Sequence, residues 1–191
     1  MVDHVWLTAA LAADAAEGKG VLPTGIRPLR HDARLVGTVS TCAVAPGDNA
    51  AVRAALEAGP QGGPILVVAG AAESDAAVLG GLVAEALSIK AFTALVTDGL
   101  VRDSEEVAQF LKAWCRGTTT LAPVKKAKPD VGNPVTIGGV SIAPGDYLVA
   151  DADGVVVWPA AAVEELREKA RERDARDQAR AALLRRTGKL D

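Results

Sequence analysis

The sequence predicts an α/β protein with parallel strands at its centre, an antiparallel meander behind them and a long helix at the C-terminal end. Three observations carry this. The apolar runs Ile65–Gly70 and Ala94–Gly99 are each followed by a loop and a helical stretch, and buried strands joined by crossover helices lie parallel. Between Pro134 and Pro159, short β-branched runs alternate with Gly-Gly, Pro-Gly-Asp and Asp-Gly, the punctuation of hairpins. From Ala160 to Arg186 there is neither Gly nor Pro, and Ala, Glu and Arg dominate, all good helix formers.

Taken in order, Trp6–Ala16 is rich in Ala and Leu and reads as a first helix, broken at Gly18 and Gly20. Pro23, Gly25 and Pro28 make an irregular connection. Leu35–Val44 is β-branched and ends at the turn Pro46-Gly47-Asp48, so it reads as a strand. Ala50–Ala58 is a short helix with Asp48 or Asn49 as its cap. Gly59–Pro64 is a loop, and Ile65–Gly70 the first buried strand. Within Ala71–Ala91 the helical part is Leu82–Ile89, with Gly80-Gly81 where a helix would begin. Ala94–Gly99 is the second buried strand, and a helix then runs to about Lys112. In the terminal helix an apolar stripe shows only at Val163, Leu166 and Ala170, and again at Leu183 and Leu184. The stretch between is charged on every face, so it is either solvated or packed on another subunit. The expected organisation is one domain over residues 1–159 and a helix over 160–191 that docks on a neighbouring copy.

Composition narrows the function. The length of 191 residues suits a single domain. Hydrophobic residues make up 49% but aromatics only 3%, so the core must be Ala, Val and Leu. With 21 Lys and Arg against 24 Asp and Glu, the net charge of -3 supplies no concentrated basic face, and nucleic acid is not an expected partner. Cys42 and Cys115 are far apart, in apolar surroundings and in no CxxC pattern. They read as buried, reduced thiols of a cytoplasmic protein. The N-terminal stretch, with Asp3 and Asp14 and no basic lead segment, does not read as a secretory leader, and no apolar run approaches the ~18 residues of a membrane helix.

Most familiar chemistries are absent. His4 and His31 have no ligand-spaced companion and read as surface residues. No serine sits in a GxSxG elbow, and there is neither a Walker A pattern nor GxGxxG. Asp151-Ala152-Asp153-Gly154 is a hairpin turn rather than a calcium loop, since no further acidic ligands follow. Val124–Lys128 reads as a solvated basic loop. Two loops remain. Val78–Val83 places Gly80 and Gly81 at a helix start, where bare N–H groups and the helix end favour an anion. Asp98–Asp103 offers Arg102, a planar fork for a carboxylate, and Asp103, a hard oxygen ligand for Mg²⁺ or Mn²⁺. Loops at the carboxyl ends of neighbouring parallel strands converge on one crevice, suited to a 2-oxo acid chelating a divalent metal. The plainer reading of the same residues is a helix cap with a surface ion pair and a glycine turn.

Four segments resemble the RraA-like family: LVGTVSTCAVAPGDNAAVRAAL, LGGLVAEAL, TDGLVRD and PVTIGGVSIAPGDYLVADADGVVVWP. That family includes regulators of ribonuclease E activity and the 4-hydroxy-4-methyl-2-oxoglutarate aldolases. The resemblance runs from about Thr8 to Trp158. It implies a swivelling-domain-like β/β/α sandwich assembled as trimers or paired trimers (homotrimer or homohexamer), with active sites between subunits. By the same resemblance, Arg102 binds substrate, Asp103 binds a divalent cation (Mg²⁺ or Mn²⁺), and the amides of Gly80, Gly81, Leu82 and Val83 hold a pyruvate carboxylate. The implied function is a metal-dependent lyase that breaks a C–C bond of a small 2-oxo acid and releases pyruvate, as aldolase or oxaloacetate decarboxylase. The alternative is a non-catalytic regulator that binds ribonuclease E or another protein. A methyltransferase is disfavoured, since no glycine-rich adenosylmethionine loop is present. One departure stands out. The aldolases carry an aspartate that helps proton transfer twenty-one positions before the arginine, where this chain has Gly81. Glu73, Asp75 and Glu85 are the candidates to compensate, and Glu172, Asp174 or Asp177 could reach a neighbour's site.

Overall fold

A computed structural model describes residues 6–189. The helices are α1 (Ala9–Ala15), α2 (Ala50–Ala58), α3 (Gly81–Ile89), α4 (Ser104–Phe110) and α5 (Val163–Thr187). The strands are β1 (Arg27–Pro28), β2 (Leu35–Ala43), β3 (Ile65–Ala69), β4 (Ala77–Leu79), β5 (Ala94–Thr97), β6 (Leu100–Val101), β7 (Lys112–Cys115), β8 (Gly117–Thr118), β9 (Asp130–Val131), β10 (Val135–Ile137), β11 (Val140–Ile142), β12 (Tyr147–Ala150) and β13 (Val155–Trp158).

The main sheet has the order β1-β7-β5-β3-β2-β12-β13, with β9 also paired to β2. Its centre, β2, β3, β5 and β7, is parallel, as the apolar runs predict. All five residues of β3 and all four of β5 are buried, which is what a strand covered on both faces requires. Helices α2, α3 and α4 close one face through Val52, Leu66, Leu87, Leu95 and Val107. The hairpin β10–β11 closes the other through Ile137 and Ile142, against Val39, Val67 and Trp114. A third cluster joins α1 and the start of α5 to Tyr147 and Trp158. Both fully buried tryptophans find acceptors: Trp114 Nε1 donates to the Asp151 carbonyl at 2.8 Å and Trp158 Nε1 to the Ala12 carbonyl at 3.1 Å. The aromatic bodies are thereby buried without an orphaned N–H.

Three sequence expectations need correction. The segment from Pro134 to Pro159 is not one meander: β10–β11 forms its own two-stranded sheet, while β12–β13 joins the main sheet along β2. The Pro144-Gly145-Asp146 turn separates them, with Asp146 accepting hydrogen bonds from Ala143 N at 2.8 Å and Ala160 N at 2.9 Å. The helix expected to reach Lys112 stops at Phe110, because Leu111 turns extended (φ -133, ψ 142) and Lys112–Cys115 pairs parallel with β5. The supposed loop at Val78–Val83 begins inside β4, which runs beside β6.

That last pairing positions the site. Strands β4, β6 and β8 form a small parallel sheet just beyond the carboxyl ends of β3, β5 and β7. It is tied to the main sheet by Arg116, whose Nη2 donates to the Ser74 carbonyl at 2.6 Å, and by Asp98, which accepts from Gly70 N and Ala71 N at 3.1 and 3.0 Å. Helix α5 buries one residue, Ala170. Arg173 on it pairs with Asp14 of α1 at 3.5 Å, and Leu184 near its end is exposed. No helix among the described residues is long and apolar enough to cross a membrane.

Candidate functional site

Gly80 ends β4 in an extended conformation and caps α3, and Gly81 is the first residue of that helix. Asn49, 2% exposed, holds this corner by donating from Nδ2 to the Val78 carbonyl at 3.1 Å. Across from it, Arg102 leaves β6 and Asp103 caps α4 with left-handed backbone, φ 51 and ψ 47. Among the described residues only Glu17 and Ala91 share a positive φ without being glycine. Such a conformation is tolerated best by Asn and Asp among residues with a Cβ and is held by its surroundings.

The Asp103 side chain is directed toward α3. Asp103 Oδ2 accepts a hydrogen bond from Gly81 N at 3.3 Å and lies 3.5 Å from Arg102 Nε. The carboxylate therefore sits on the positive end of α3 beside a guanidinium. Both side chains are about half exposed, 41% for Arg102 and 48% for Asp103, so the ion pair itself adds little stability. Asp103 Oδ1 accepts nothing from the described residues.

Glycine at 80 leaves the room that the Asp103 and Arg102 side chains occupy. A Cβ there would stand 2.5 Å from Asp103 Oδ2 and 2.9 Å from Arg102 Cγ. At Gly81 a Cβ would meet the Glu106 carboxylate oxygen, and would lie 2.7 Å from Glu106 Cβ and 2.9 Å from its Cδ. Any side chain at 81 would therefore have to displace that of Glu106. A cleft of about 540 Å³ opens beside these groups, walled by Arg102, Asp103, Glu106 and the hydroxyl-rich strip Thr118–Thr120.

The structure therefore brings together Gly80, Gly81, Arg102 and Asp103. Leu82 offers its backbone in the same helical turn while its side chain is 77% exposed, and Val83 packs on the core beneath. Glu106 and the threonine strip were missed by sequence reasoning. The available signal for Glu106 was its place in the first turn of the helix that Asp103 opens. Glu73 and Asp75 lie exposed in the loop after β3, and Glu85 faces outward on α3. On α5, Asp174 accepts from Gln178 at 2.8 Å and Asp177 from Arg173 at 3.0 Å. His31 is exposed, whereas His4 lies outside the described residues. Cys42 and Cys115 are buried and free, and desolvation pushes the Cys42 thiol up to about 12, which removes it as a nucleophile.

The donor set bears on a metal. No group of three or more His, Cys, Asp or Glu that could hold one occurs among the described residues. One carboxylate with an unused oxygen fits a hard cation that keeps several waters and takes further oxygens from its substrate, the habit of Mg²⁺.

The chain is similar to known proteins over most of its length. The family described as RraA-like, Aldolase/RraA, matches residues 8–157. A protein of Halalkalibacterium halodurans named "Putative 4-hydroxy-4-methyl-2-oxoglutarate aldolase" is 36% identical over 170 residues, 88% of this chain and 80% of that one. The structure of the RNA-processing inhibitor RraA from Thermus thermophilis superposes with a TM-score of 0.70 at 30% identity, over 80% of this chain and 93% of that chain. Streptomyces coelicolor RraAS2, titled an unusual member of the RNase ES inhibitor RraA family, gives 0.78 at 28% identity, over 90% and 91%.

Proposed function

Because the chain belongs to the RraA-like family (Aldolase/RraA), we propose that it is a divalent-metal-dependent lyase. It breaks a C–C bond of a small 2-oxo acid and releases pyruvate, by aldol cleavage of a 4-hydroxy-2-oxo acid or decarboxylation of oxaloacetate. The observation that carries this reading is the left-handed Asp103, which turns its carboxylate and Arg102 onto the Gly80-Gly81 end of α3.

In this reading Asp103 holds Mg²⁺ or Mn²⁺, with water and substrate oxygens as the other ligands. The cation supplies electrophilic polarisation of the 2-oxo group. At the start of α3, Gly81 N is held by Asp103 and Val83 N by the Gly80 carbonyl; the Leu82 N–H, joined by that of Gly81 when Asp103 turns to the cation, receives the substrate carboxylate. Arg102 is placed to neutralise charge on the oxygen at the bond being broken. The setting is cytoplasmic, in a homotrimer or homohexamer with α5 lying on a neighbouring copy.

The test is a coupled pyruvate assay on 4-hydroxy-4-methyl-2-oxoglutarate and oxaloacetate, with and without Mg²⁺ and Mn²⁺. Metal-dependent turnover is expected, and Asp103→Ala should lower it by about 100-fold or more. Unchanged turnover in that variant overturns the assignment. The likeness to the Thermus thermophilis inhibitor favours one other reading, a regulator that binds a ribonuclease. Silence on both acids, together with a stable complex with a purified ribonuclease, would establish that reading instead.

A further inference from the structure

Gly81 removes a side chain from the middle of the candidate site, yet the space above it is filled. The three atoms nearest to a Cβ built there all belong to Glu106: its Cβ at 2.7 Å, its Cδ at 2.9 Å and one carboxylate oxygen closer still. Glu106 is exposed, and its carboxylate has no hydrogen-bond or ion-pair partner among the described residues. It also walls the cleft that Arg102 and Asp103 share.

A plainer role is available, since both Glu105 and Glu106 stand in the first turn of α4, where carboxylates favour the helix dipole. The dipole is served by either residue. It does not account for a glycine at the one point where any larger residue would displace Glu106.

We propose that Glu106 is the proton-transfer residue of this site, its carboxylate delivered from α4 over Gly81. The proposal rests on the lyase reading given above. With a 4-hydroxy-2-oxo acid bound, Glu106 takes the proton of the 4-hydroxyl. The O–H electron pair becomes the second bond of the new carbonyl, the C3–C4 bond breaks, and its pair passes into the enolate of pyruvate. Glu106 then returns the proton to C3. Decarboxylation of oxaloacetate needs no base to start it, because carbon dioxide departs from a carboxylate already ionised. Loss of Glu106 must therefore weigh differently on the two substrates.

The experiment compares the whole protein with Glu106→Gln, Gly81→Ala and the control Glu85→Gln. It measures turnover of both acids with Mn²⁺, Mn²⁺ affinity by calorimetry and the melting temperature. Glu106→Gln is expected to slow cleavage of the hydroxy acid by about 100-fold, the ordinary yield of a positioned acid or base. Oxaloacetate turnover should fall by less than about tenfold, and Mn²⁺ affinity should hold within about threefold. Gly81→Ala, which adds only a methyl group in the space of Glu106, should show the same split. Glu85→Gln should match the unaltered protein.

Equal losses on both substrates, or weakened Mn²⁺ binding in Glu106→Gln, would overturn the proposal by making Glu106 a metal ligand or a general structural support. Unchanged hydroxy-acid cleavage would leave the dipole role alone. An unaltered protein inactive on both acids would overturn the lyase reading itself, and this assignment with it.

Discussion

Acidic side chains in two regions of this molecule are treated in opposite ways. Around the β12–β13 end they are consumed by the fold. Asp151, 7% exposed, accepts Ala9 N at 2.8 Å on one oxygen and Asp153 N at 3.0 Å on the other. Asp146, 9% exposed, likewise spends both oxygens on backbone N–H groups of Ala143 and Ala160. At the start of α4 the pattern reverses. Asp103 has one long hydrogen bond and one exposed ion pair, Glu106 has neither, and the backbone of Asp103 is strained. A carboxylate whose oxygens are matched to buried donors is a fastening. One held in a strained backbone conformation with oxygens left open is free to engage something outside the chain.

The comparison is sharpened by crossing two substitutions. Asp151→Ala leaves the buried Ala9 N–H, 4% exposed, without an acceptor and frees α1 from the β12–β13 turn. Loss of hydrogen bonds to a charged group costs about 1.5–3 kcal/mol each, so a drop of about 3 kcal/mol is expected. For a chain of this size that lowers the melting temperature by about 6–12 °C. Turnover per folded molecule should be kept. Asp103→Ala should do the reverse, losing turnover at a smaller cost in stability, since its ion pair is half exposed and its one hydrogen bond is long. Calorimetric melting of both variants checks this. Should Asp103→Ala melt below Asp151→Ala, the division between fastening and aimed carboxylates fails.

How far this was legible in the sequence differs between the same two regions. The Asp151–Gly154 hairpin turn, the strands at Leu35, Ile65 and Ala94 and the helix at Ala50 carry local signals, and each lies where periodicity and turn chemistry place it. Local signals fail where tertiary pairing decides. Lys112–Cys115 follows a helix with no Gly or Pro between, and becomes a strand because β5 offers a parallel edge and Trp114 a place in the core. Ala77–Leu79 is too short to show a period and is a strand only through β6. At the site, Arg102 and Asp103 stood out as residue types beside a glycine-rich helix start. Glu106 did not. Its meeting with Gly81 depends on how closely α3 and α4 pack, which is set by buried residues such as Leu87 and Val107 and is written in no motif. Spacing does not find it either, since Glu73, Asp75 and Glu85 are nearer in sequence yet Glu106 supplies the atoms nearest to a Cβ at 81.

Asp48 supplies the smallest and most selective test of the fastening class. Its carboxylate accepts Lys126 N at 2.5 Å, Ala50 N at 2.7 Å and Ala127 N at 2.9 Å, tying the start of α2 to the Val124–Lys128 loop. These backbone donors, Lys126 first, hold its carboxyl below the usual carboxylate range. A depressed folded-state value means that the stabilisation is complete above the unfolded value of about 3.9 and is lost as pH falls through the folded one. Asp48→Asn should therefore unfold at lower urea than the unaltered chain at pH 7, and the gap should narrow as the pH is taken below about 4, where the unfolded chain takes up the proton that the folded carboxylate resists. A gap of constant size from pH 7 to pH 3 would show that shape rather than charge joins the loop to α2, and would remove Asp48 from the class that Asp146 and Asp151 define.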